Sequence, residues 1–502
     1  AKPSKVEDAV FSLFDELGAS DDQLDYETVY ASGRDGWSTI DVPDASEYDK
    51  LAEKNGMTPL IDAIVRSAPP PSVTPINEEP RFSMLVSMIE SDPTVHMGDV
   101  LYTGKVLTGR AKLNDTVTVL GADGKTREQS RLIKIFSRNG LQRVELEEAE
   151  AGNIVTLAGL SKGHVGDTIC EPSIETPFPS IPIDPPTISM LFGPNTSPLA
   201  GKSGTKLLGR QIIDRLEAEA RSNVAVTVGP GPGEFVEVGG RGELQLGILI
   251  ETLRREGFEL SIGSPQVITK IDEETGREVE PTEEVLIDVP EAMSGMVVEK
   301  LQTRSGTLTN MELASVDDEA GEGRARIEFL CPSRGLIGLR GELMRECRGE
   351  AVMNNVLHSY TPVTATSKGV RKGSIISMAD GLAKSHSLES LESRGVLFIE
   401  PQEEVYNGQV VGESSVLQDY EVNPTKQKAL TNFRAAGKDD FVKLAVPRKM
   451  SLEEYIGYIA DDELIEVTPD AVRLRKKSLD PGSRAREQRA KAAQQKEARE
   501  SK

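Results

Sequence analysis

Residues 236–267 read VEVGGRGELQLGILIETLRREGFELSIGSPQV, and this stretch decides the fold. The leucines between positions 244 and 253 recur at helical spacing and predict an amphipathic helix. Gly257 stands where such a helix should end, and residues 259–262 then alternate as in a half-buried strand. The stretch therefore predicts a strand, a glycine turn, a helix and a second strand, which is half of a small α/β sandwich.

The element order β-α-β-β-α-β, typical of ferredoxin-like sandwiches, is predicted twice along the chain. It covers residues 187–270 and again residues 283–364, without any repeat of sequence. Within the second copy, apolar spacing predicts one continuous helix over residues 336–347.

Proline-rich stretches and changes of composition separate the other units. Residues 1–70 predict one strand and two helices, too few to enclose a core, so we expect residues 1–66 to be poorly packed. Short strands between glycine turns predict a β-barrel over residues 78–174. Residues 365–477 are rich in glycine and strands, and residues 478–502 form a basic tail.

The formal net charge of −23 is unevenly distributed. Residues 471–502 carry eleven Lys/Arg against four Asp/Glu, a balance of +7, which leaves −30 for the rest. A basic segment on an acidic body is typical of a protein that contacts phosphate locally and is repelled elsewhere. A solvated tail without a target is the alternative.

Composition argues against several classes of protein. The three cysteines are far apart without a CxxC pair, which argues against a disulfide framework, and the four histidines lack metal-ligand spacing. No apolar run is long enough to span a membrane, so we expect no membrane partner. The first residue is Ala1, which suggests a processed or truncated product.

A nucleotide-binding P-loop, G-x-x-x-x-G-K-[ST], is absent from the sequence. Its nearest approximation is Gly201-Lys202-Ser203, but Thr196 occupies the first glycine position. We interpret this segment as a false match. Phosphoryl transfer needs a backbone nest and a lysine on the phosphates, and side chains on Mg²⁺. We therefore expect this chain neither to bind GTP tightly nor to hydrolyse it.

Six motifs, in order, carry a resemblance to a known family. They are LNDTVTVL (113–120), EAEAGNIVTLAGL (148–160), SRGLIGLRGELM (333–344), RGVLFIEPQEEVYNGQVVGE (394–413), QKALTNFRAAGKDD (427–440) and DDELIEVTPDAVRLRKK (461–477). The chain resembles the BipA/TypA family of ribosome-associated translational GTPases, which are similar to elongation factor G. The resemblance extends to about Lys477.

The resemblance implies a multidomain fold of α/β and all-β units. In order, these are the C-terminal remnant of a P-loop GTPase domain, a translation-factor β-barrel, two ferredoxin-like α/β sandwiches in the positions of elongation factor G domains III and V, and a β-rich C-terminal domain specific to the family. The P-loop, the switch regions and the Asn-Lys-x-Asp motif of the GTPase domain are missing. Ser32 and Gly33 resemble the last guanine-contacting motif and form the predicted nucleotide-binding remnant.

The resemblance also implies function. GTP and Mg²⁺ are expected cofactors of the full-length family protein, with GTP hydrolysed to GDP and phosphate. For this chain we expect no cofactor, no metal and no catalytic residue, and its enzyme status stays open. The implied partners are the ribosome, through large-subunit rRNA and A-site tRNA. We expect a monomer off the ribosome.

Two groups of residues are candidates for binding RNA. Lys and Arg suit phosphates, whereas Asn and Thr reach 2′-hydroxyls or base edges. The first group is the predicted basic loop, with Lys426, Lys428, Thr431, Asn432, Arg434 and Lys438. The second group is a predicted basic cluster of Arg473, Arg475, Lys476 and Lys477. A solvated hairpin with ordinary surface charge is the alternative for the loop.

Two functions from different classes stay open. One is the ribosome-binding body of a BipA/TypA-like GTPase, acting in translation regulation, large-subunit assembly or a stress response. The other is a stand-alone, non-enzymatic ribosome- or RNA-binding protein that has lost its GTPase domain. We expect a location in the bacterial cytoplasm, or in the stroma or matrix of an organelle derived from bacteria.

Overall fold

The computed structural model describes most of the 502-residue chain. The described residues are 3–42, 56–69, 79–91, 100–180, 184–314, 323–363, 371–427 and 444–486. Of the predicted basic loop, Lys428, Thr431, Asn432, Arg434 and Lys438 lie outside these ranges.

The N-terminal unit is a small set of elements with little core. Its described elements are α1 (Pro3–Glu16), α2 (Asp21–Leu24), the antiparallel pair β1 (Tyr30–Ser32) and β2 (Trp37–Thr39), and α3 (Thr58–Ser67). Helix α1 buries none of its side chains, and half of the Phe11 surface is exposed. Only Ala63 of α3 is buried, so the apolar faces of both helices stand open.

The second unit is a strongly curved antiparallel sheet. Its strands are β3 (Ser83–Ser91), β4 (Val100–Thr108), β5 (Arg110–Lys112), β6 (Thr116–Leu120), β7 (Thr126–Arg131), β8 (Lys134–Asn139), β9 (Gln142–Leu146), β10 (Glu148–Glu150), β11 (Ile154–Leu160) and β12 (Thr168–Cys170). Eight of them follow the order β7-β6-β12-β3-β4-β11-β8-β9, and β5 pairs with β10. The Ser130 hydroxyl on β7 donates to the Gly159 carbonyl on β11 at 2.7 Å, so the sheet curls back on itself around a core of Val, Ile, Leu and Met side chains.

The third unit has the strand order of a ferredoxin-like sandwich. Its elements are β13 (Ile188–Pro194), α4 (Gly209–Ser222), β14 (Thr227–Pro230), β15 (Val236–Gly240), α5 (Glu243–Arg255), β16 (Leu260–Ile262) and β17 (Gln266–Val267). Its sheet runs β14-β15-β13-β16. The stretch over 236–267 forms the predicted strand, helix and second strand, but residues 259–262 are fully buried and not half-buried. Helix α5 buries Leu246, Leu249, Ile250 and Leu253 in the core of this unit.

The fourth unit repeats that topology. After β18 (Lys270–Ile271), its elements are β19 (Glu278–Pro290), a 3-10 turn (Glu291–Met293), α6 (Ser294–Thr303), β20 (Thr307–Ala314), β21 (Arg324–Pro332), α7 (Ser333–Leu336), α8 (Leu339–Glu346) and β22 (Val352–Pro362). The sheet runs β22-β19-β21-β20. The prediction of one continuous helix over 336–347 was wrong, because Gly338 has φ 74° and separates α7 from α8. A left-handed φ cannot continue a right-handed helix, and glycine adopts it without a steric penalty.

In residues 371–427 and 444–477, the C-terminal unit has short strands and two helices. They are β23 (Ser374–Ser377), β24 (Gly381–Leu382), α9 (Ser385–Glu392), β25 (Gly395–Leu397), β26 (Glu404–Val405), β27 (Gln409–Ser414), β28 (Tyr420–Val422), α10 (Leu452–Tyr458), β29 (Glu463–Val467) and β30 (Val472–Lys476).

This unit and the first ferredoxin-like unit share one sheet. Strand β29 pairs antiparallel with β16, with Ile465 opposite Ile262 and Glu466 opposite Ser261. Eleven described strands thereby form one sheet, whose main path runs β14-β15-β13-β16-β29-β30-β27-β23-β28. We call the two units together the body. The apolar core is continuous across the junction, since Ile465 and Val467 pack in the same cluster as Phe192 and Leu260.

Candidate nucleic-acid interface

Ser32 and Gly33 lie at the turn between β1 and β2. The Ser32 hydroxyl donates to Oδ2 of Asp35 at 2.8 Å, and the Asp35 N–H donates to Oγ of Ser32 at 3.3 Å. Gly33 is exposed. The turn is held by its own side chains, and the nucleotide role of these two residues stays a prediction.

The predicted basic loop leaves the body after β28. Asn423 Oδ1 accepts hydrogen bonds from the Thr425 N–H at 2.9 Å and from its hydroxyl at 2.8 Å, and the Lys384 N–H donates to the Pro424 carbonyl at 2.9 Å. This base is therefore fixed against the start of α9. Lys426 follows it with an exposed side chain. Of the predicted loop residues, Lys426 is the one that the described structure places, and it stands where a ligand can reach it.

The second predicted group is not an exposed basic cluster, and that expectation needs correction. Arg475 is 2% exposed and Lys476 is 4% exposed. Arg473 is mostly buried, with its Nη1 3.7 Å from Glu466 Oε1. Of the four residues, Lys477 alone has an exposed side chain. Phosphate cannot reach Arg475 or Lys476 without displacing protein groups.

The pairing of β29 with β30 explains this burial. Their register sets Glu463 opposite Lys476 and Glu466 opposite Arg473, so opposite charges meet across the hairpin. The Lys476 ammonium lies 2.9 Å from Asp419, 3.0 Å from Asp462 and 3.1 Å from Glu463. Burial lowers the pKa of Lys476, but these three carboxylates outweigh it and raise the pKa above its ordinary value. The positive charge of Lys476 is therefore paired with carboxylates inside the fold.

Glu463 is the centre of this ion cluster and is fully buried. Arg371 binds both of its carboxylate oxygens, at 2.6 and 3.2 Å, and the Ser374 hydroxyl donates to it at 2.8 Å. Burial raises the pKa of Glu463, but Arg371 and Lys476 outweigh it, so the net pKa is lowered. The Arg371 guanidinium also stacks on the Tyr458 ring at 3.9 Å. We call Glu463, Arg371 and Lys476 the buried ion cluster.

Glu466, on the same strand, joins the two halves of the body. It accepts hydrogen bonds from the Tyr406 hydroxyl at 2.6 Å and, across the shared sheet, from the Ser197 hydroxyl at 2.6 Å and Asn195 Nδ2 at 3.1 Å. Burial, followed by the charge of Glu466, raises the pKa of Tyr406. Tyr406 therefore stays a neutral donor. The carboxylate ties the C-terminal unit to the loop that follows β13.

The P-loop-like segment Gly201-Lys202-Ser203 forms an anion-binding nest that the chain fills itself. The N–H groups of Gly201, Ser203 and Gly204 donate to the buried Glu259 carboxylate at 2.9, 3.2 and 2.7 Å. Lys202 points away to Glu404 at 2.6 Å. The backbone resembles a phosphate cradle because it binds an anion, but that anion is a carboxylate of the same chain. The structure supports the interpretation of this segment as a false match.

The nest makes a pH-dependent contribution to stability. Burial raises the pKa of Glu259, but the hydrogen bonds to its carboxylate outweigh it and hold the pKa below the ordinary value of 4.5. Because the unfolded state takes up the proton first, this stabilisation is present above pH 4.5 and is lost as the pH falls through the folded-state pKa.

We expect Glu259→Gln to lower the free energy of unfolding by about 1–3 kcal/mol at pH 7. Part of the wild-type loss below pH 4.5 should also disappear in this variant. Urea titrations from pH 7 to pH 3 measure both effects. Glu237→Gln, at an exposed position on β15, is the matched control and should follow the wild type. Parallel pH curves for Glu259→Gln and the wild type would contradict the assignment.

Other kinds of site find little support in the described ranges. There, no three His, Cys, Asp or Glu side chains come together in a way that could hold a metal ion. All three cysteines are buried thiols, and burial raises the pKa of Cys170 to about 11 and of Cys331 to about 12. Such thiols are poor nucleophiles. None of the described helices combines the length and hydropathy needed to cross a bilayer.

Three segments of the chain match models of known families. Residues 372–481 match the TypA/BipA C-terminal domain, residues 277–369 the elongation factor G C-terminus, and residues 99–170 elongation factor Tu domain 2. The large ribosomal subunit assembly factor BipA of Haemophilus influenzae is 42% identical over 493 residues, which is 97% of this chain and 76% of that protein. This chain belongs to the BipA/TypA family.

Further BipA/TypA relatives are similar over the same extent. The Synechocystis protein, also called large ribosomal subunit assembly factor BipA, is 39% identical over 95% of this chain and 76% of its own length. The protein of that name from Escherichia coli K12 is 40% identical over 98% and 77%. A solved structure from Thermus thermophilus aligns with 64% of this chain and 60% of that chain, at 15% identity and a TM-score of 0.40, too low to support an argument.

Membership of the BipA/TypA family confirms the resemblance read from the six motifs. At the level of fold class, a multidomain α/β and β-rich translation-factor architecture is confirmed as well. The predicted unit boundaries and the roles of individual residues stay predictions. Sequence reasoning missed Glu463, Glu466 and Glu259, although charge alternation across the hairpin 463–476 was a signal for the first two.

Proposed function

We propose that this chain is the ribosome-binding part of a BipA-type factor acting in translation regulation or large-subunit assembly. The observation that carries the proposal is 42% identity across 97% of the chain to a protein named as a large ribosomal subunit assembly factor. The match of residues 372–481 to the TypA/BipA C-terminal domain supports it. The partners are large-subunit rRNA and A-site tRNA, in the bacterial cytoplasm or a bacterium-derived organelle.

In this proposal the predicted basic loop is the RNA-contacting element. Lys426 is exposed at the end of a base held by hydrogen bonds, so the loop starts from a fixed place on the body. Arg475 and Lys476 are not part of the proposed interface. Arg475 is buried and donates to the Thr196 and Ser261 hydroxyls, and Lys476 belongs to the buried ion cluster. Lys477 remains a candidate because its side chain is exposed.

Neutralising Lys426, Lys428 and Arg434 together to alanine should weaken co-sedimentation with large ribosomal subunits. Each lost phosphate contact should also reduce the slope of log affinity against log salt by about 0.7–0.9. Sedimentation at several salt concentrations measures both quantities. The charge-matched control is Arg131→Ala, Lys162→Ala and Arg277→Ala, at exposed positions outside the body's C-terminal unit. Equal binding by the two triple variants would exclude the loop assignment.

GTP and Mg²⁺ belong, in this proposal, to the GTPase domain of the full-length family protein. The sequence has no P-loop, so a fluorescent GTP analogue should not bind this 502-residue chain at micromolar concentration. Measurable micromolar binding would overturn that part. The alternative, a stand-alone RNA-binding protein without a GTPase domain, is distinguished by whether the coding region upstream of Ala1 holds a P-loop in frame.

A further inference from the structure

The turn between α7 and α8 is held rigidly from within its own unit. Arg304, at the end of α6, donates from Nη1 to the carbonyls of Gly335 at 2.9 Å and Ile337 at 3.1 Å. Its Nη2 donates to Glu342 on α8 at 2.7 Å. Three hydrogen bonds from one guanidinium therefore fix the shape of the turn before it meets any other unit.

Gly338 in this turn touches both halves of the body. Its N–H donates to Oε2 of Glu243, the first residue of α5, at 2.8 Å. Its backbone lies against Gly457 of α10, in the C-terminal unit. A Cβ on Gly457 would lie 2.7 Å from Gly338 Cα, and a Cβ on Gly338 would lie 3.0 Å from Gly457 Cα. At both positions the clash would be with backbone, which cannot rotate away.

A charged pair flanks the same contact. Arg345 on α8 lies 2.6 Å from Glu454 on α10, and Glu454 also caps its own helix by accepting from the Ser451 N–H at 2.8 Å. Burial raises the pKa of Glu243, and the groups around it are the Gly338 N–H, Glu453, Arg304 and Arg340. Helices α5, α8 and α10 border a cleft of about 710 Å³. In the described structure the second ferredoxin-like unit thus meets the body at a close glycine contact, with a hydrogen bond and an ion pair beside it.

We propose that Gly338 and Gly457 are positioning residues that set the angle between the second ferredoxin-like unit and the body. If both units contact the ribosome at the same time, as the proposed function implies, the angle between them governs binding; this step rests on the proposed function. Glycine is required because helix backbone and turn approach within van der Waals contact, and any side chain acts as a wedge. Arg304 and Glu243 act through the turn, by holding its shape and its N–H.

The test is Gly457→Ala, with Gly341→Ala as the matched control. Both glycines lie inside helices, where alanine is favoured by about 0.5–1 kcal/mol. A Cβ on Gly341 meets nothing within 4 Å, whereas one on Gly457 meets the Gly338 backbone. Local helix propensity therefore has a similar effect in both variants, and the two differ only in the clash of the added Cβ with the Gly338 backbone.

Spin labels at Val356→Cys and Leu417→Cys report the angle, since these exposed positions lie on the second ferredoxin-like unit and on the C-terminal unit. The native cysteines are buried and should react little. We expect Gly457→Ala to shift or broaden the distance distribution, and Gly341→Ala to leave it as in the wild type. Binding to large ribosomal subunits should fall on the order of tenfold in Gly457→Ala alone.

An unchanged distance in Gly457→Ala would overturn the proposal. So would a changed distance with unchanged ribosome binding, since the angle would then be irrelevant to function. If the wild-type chain itself fails to bind ribosomes, the proposed function fails, while the distance measurement still decides whether the glycine pair sets the angle. Circular dichroism on both variants confirms that each is folded.

Discussion

Replacing Glu463 with alanine should lower the free energy of unfolding by about 3–5 kcal/mol. Glu463 is fully buried and binds Arg371 through both oxygens and Lys476 through one. Its removal leaves the Arg371 guanidinium without its bidentate partner, in a protein interior that solvates charge poorly. Lys476 keeps Asp419 and Asp462, so the larger part of the cost falls on Arg371.

Urea unfolding followed by circular dichroism measures this loss. Glu404→Ala is the control, because the ion pair of Glu404 with Lys202 has a similar length of 2.6 Å but lies on the surface. Exposed pairs contribute about 0–1 kcal/mol, so the control should stay close to the wild type. A loss below about 1 kcal/mol in Glu463→Ala would show that the buried ion cluster is readily solvated.

Replacing Ile465 with proline should destabilise both halves of the body at once, by about 3 kcal/mol or more. Ile465 is fully buried on β29, opposite Ile262 of β16 on one side and Leu474 of β30 on the other. Proline lacks the N–H of a ladder hydrogen bond and is tolerated in sheets only at edges and bulges. Strand β29 has no free edge, since β16 and β30 both pair with it.

Hydrogen exchange resolves where protection is lost. We expect faster exchange both in β13 and β15 of the first ferredoxin-like unit and in β27 of the C-terminal unit. Ile465→Val keeps the backbone hydrogen bonds of the sheet and should lower the free energy of unfolding by only about 0.5–1.5 kcal/mol. Exchange should then stay slow in the strands of both units. Loss confined to the C-terminal unit would mean that the two units unfold independently despite their shared sheet.

Local patterns predicted the strand, helix and strand over 236–267, because amphipathic spacing and glycine stops act within a few residues. The helix over 243–255 was predicted from the leucine spacing, and its end from Gly257. The break at Gly338 was missed, since apolar periodicity continues across it from Leu336 to Leu343. The left-handed turn becomes apparent only through its contacts with Arg304, Glu243 and Gly457.

Pairing between strands that are far apart in sequence gives no periodic pattern of apolar residues. Leu260 and Val467 are neighbours across the shared sheet, yet the sequence of neither strand indicates which strand it pairs with. The prediction of a basic cluster over 473–477 was wrong for a related reason. Counting charges over 473–477 predicted a basic cluster for RNA, whereas the acidic partners lie seven to fourteen residues earlier or in another segment of the chain. Arg484, counted in the predicted basic tail, is likewise buried against Glu421.

The Glu259 nest has a consequence for ligand competition. Its anion is covalently part of the chain, 55 residues from Gly204, so it never dissociates into solution. A tethered group acts at an effective concentration that is often millimolar or higher, before any preorganisation by the fold. A free phosphate would have to outcompete that permanent occupant while also leaving a buried carboxylate without its three backbone donors. A backbone that resembles a phosphate cradle thus serves as a structural joint, and its anion does not exchange with solvent.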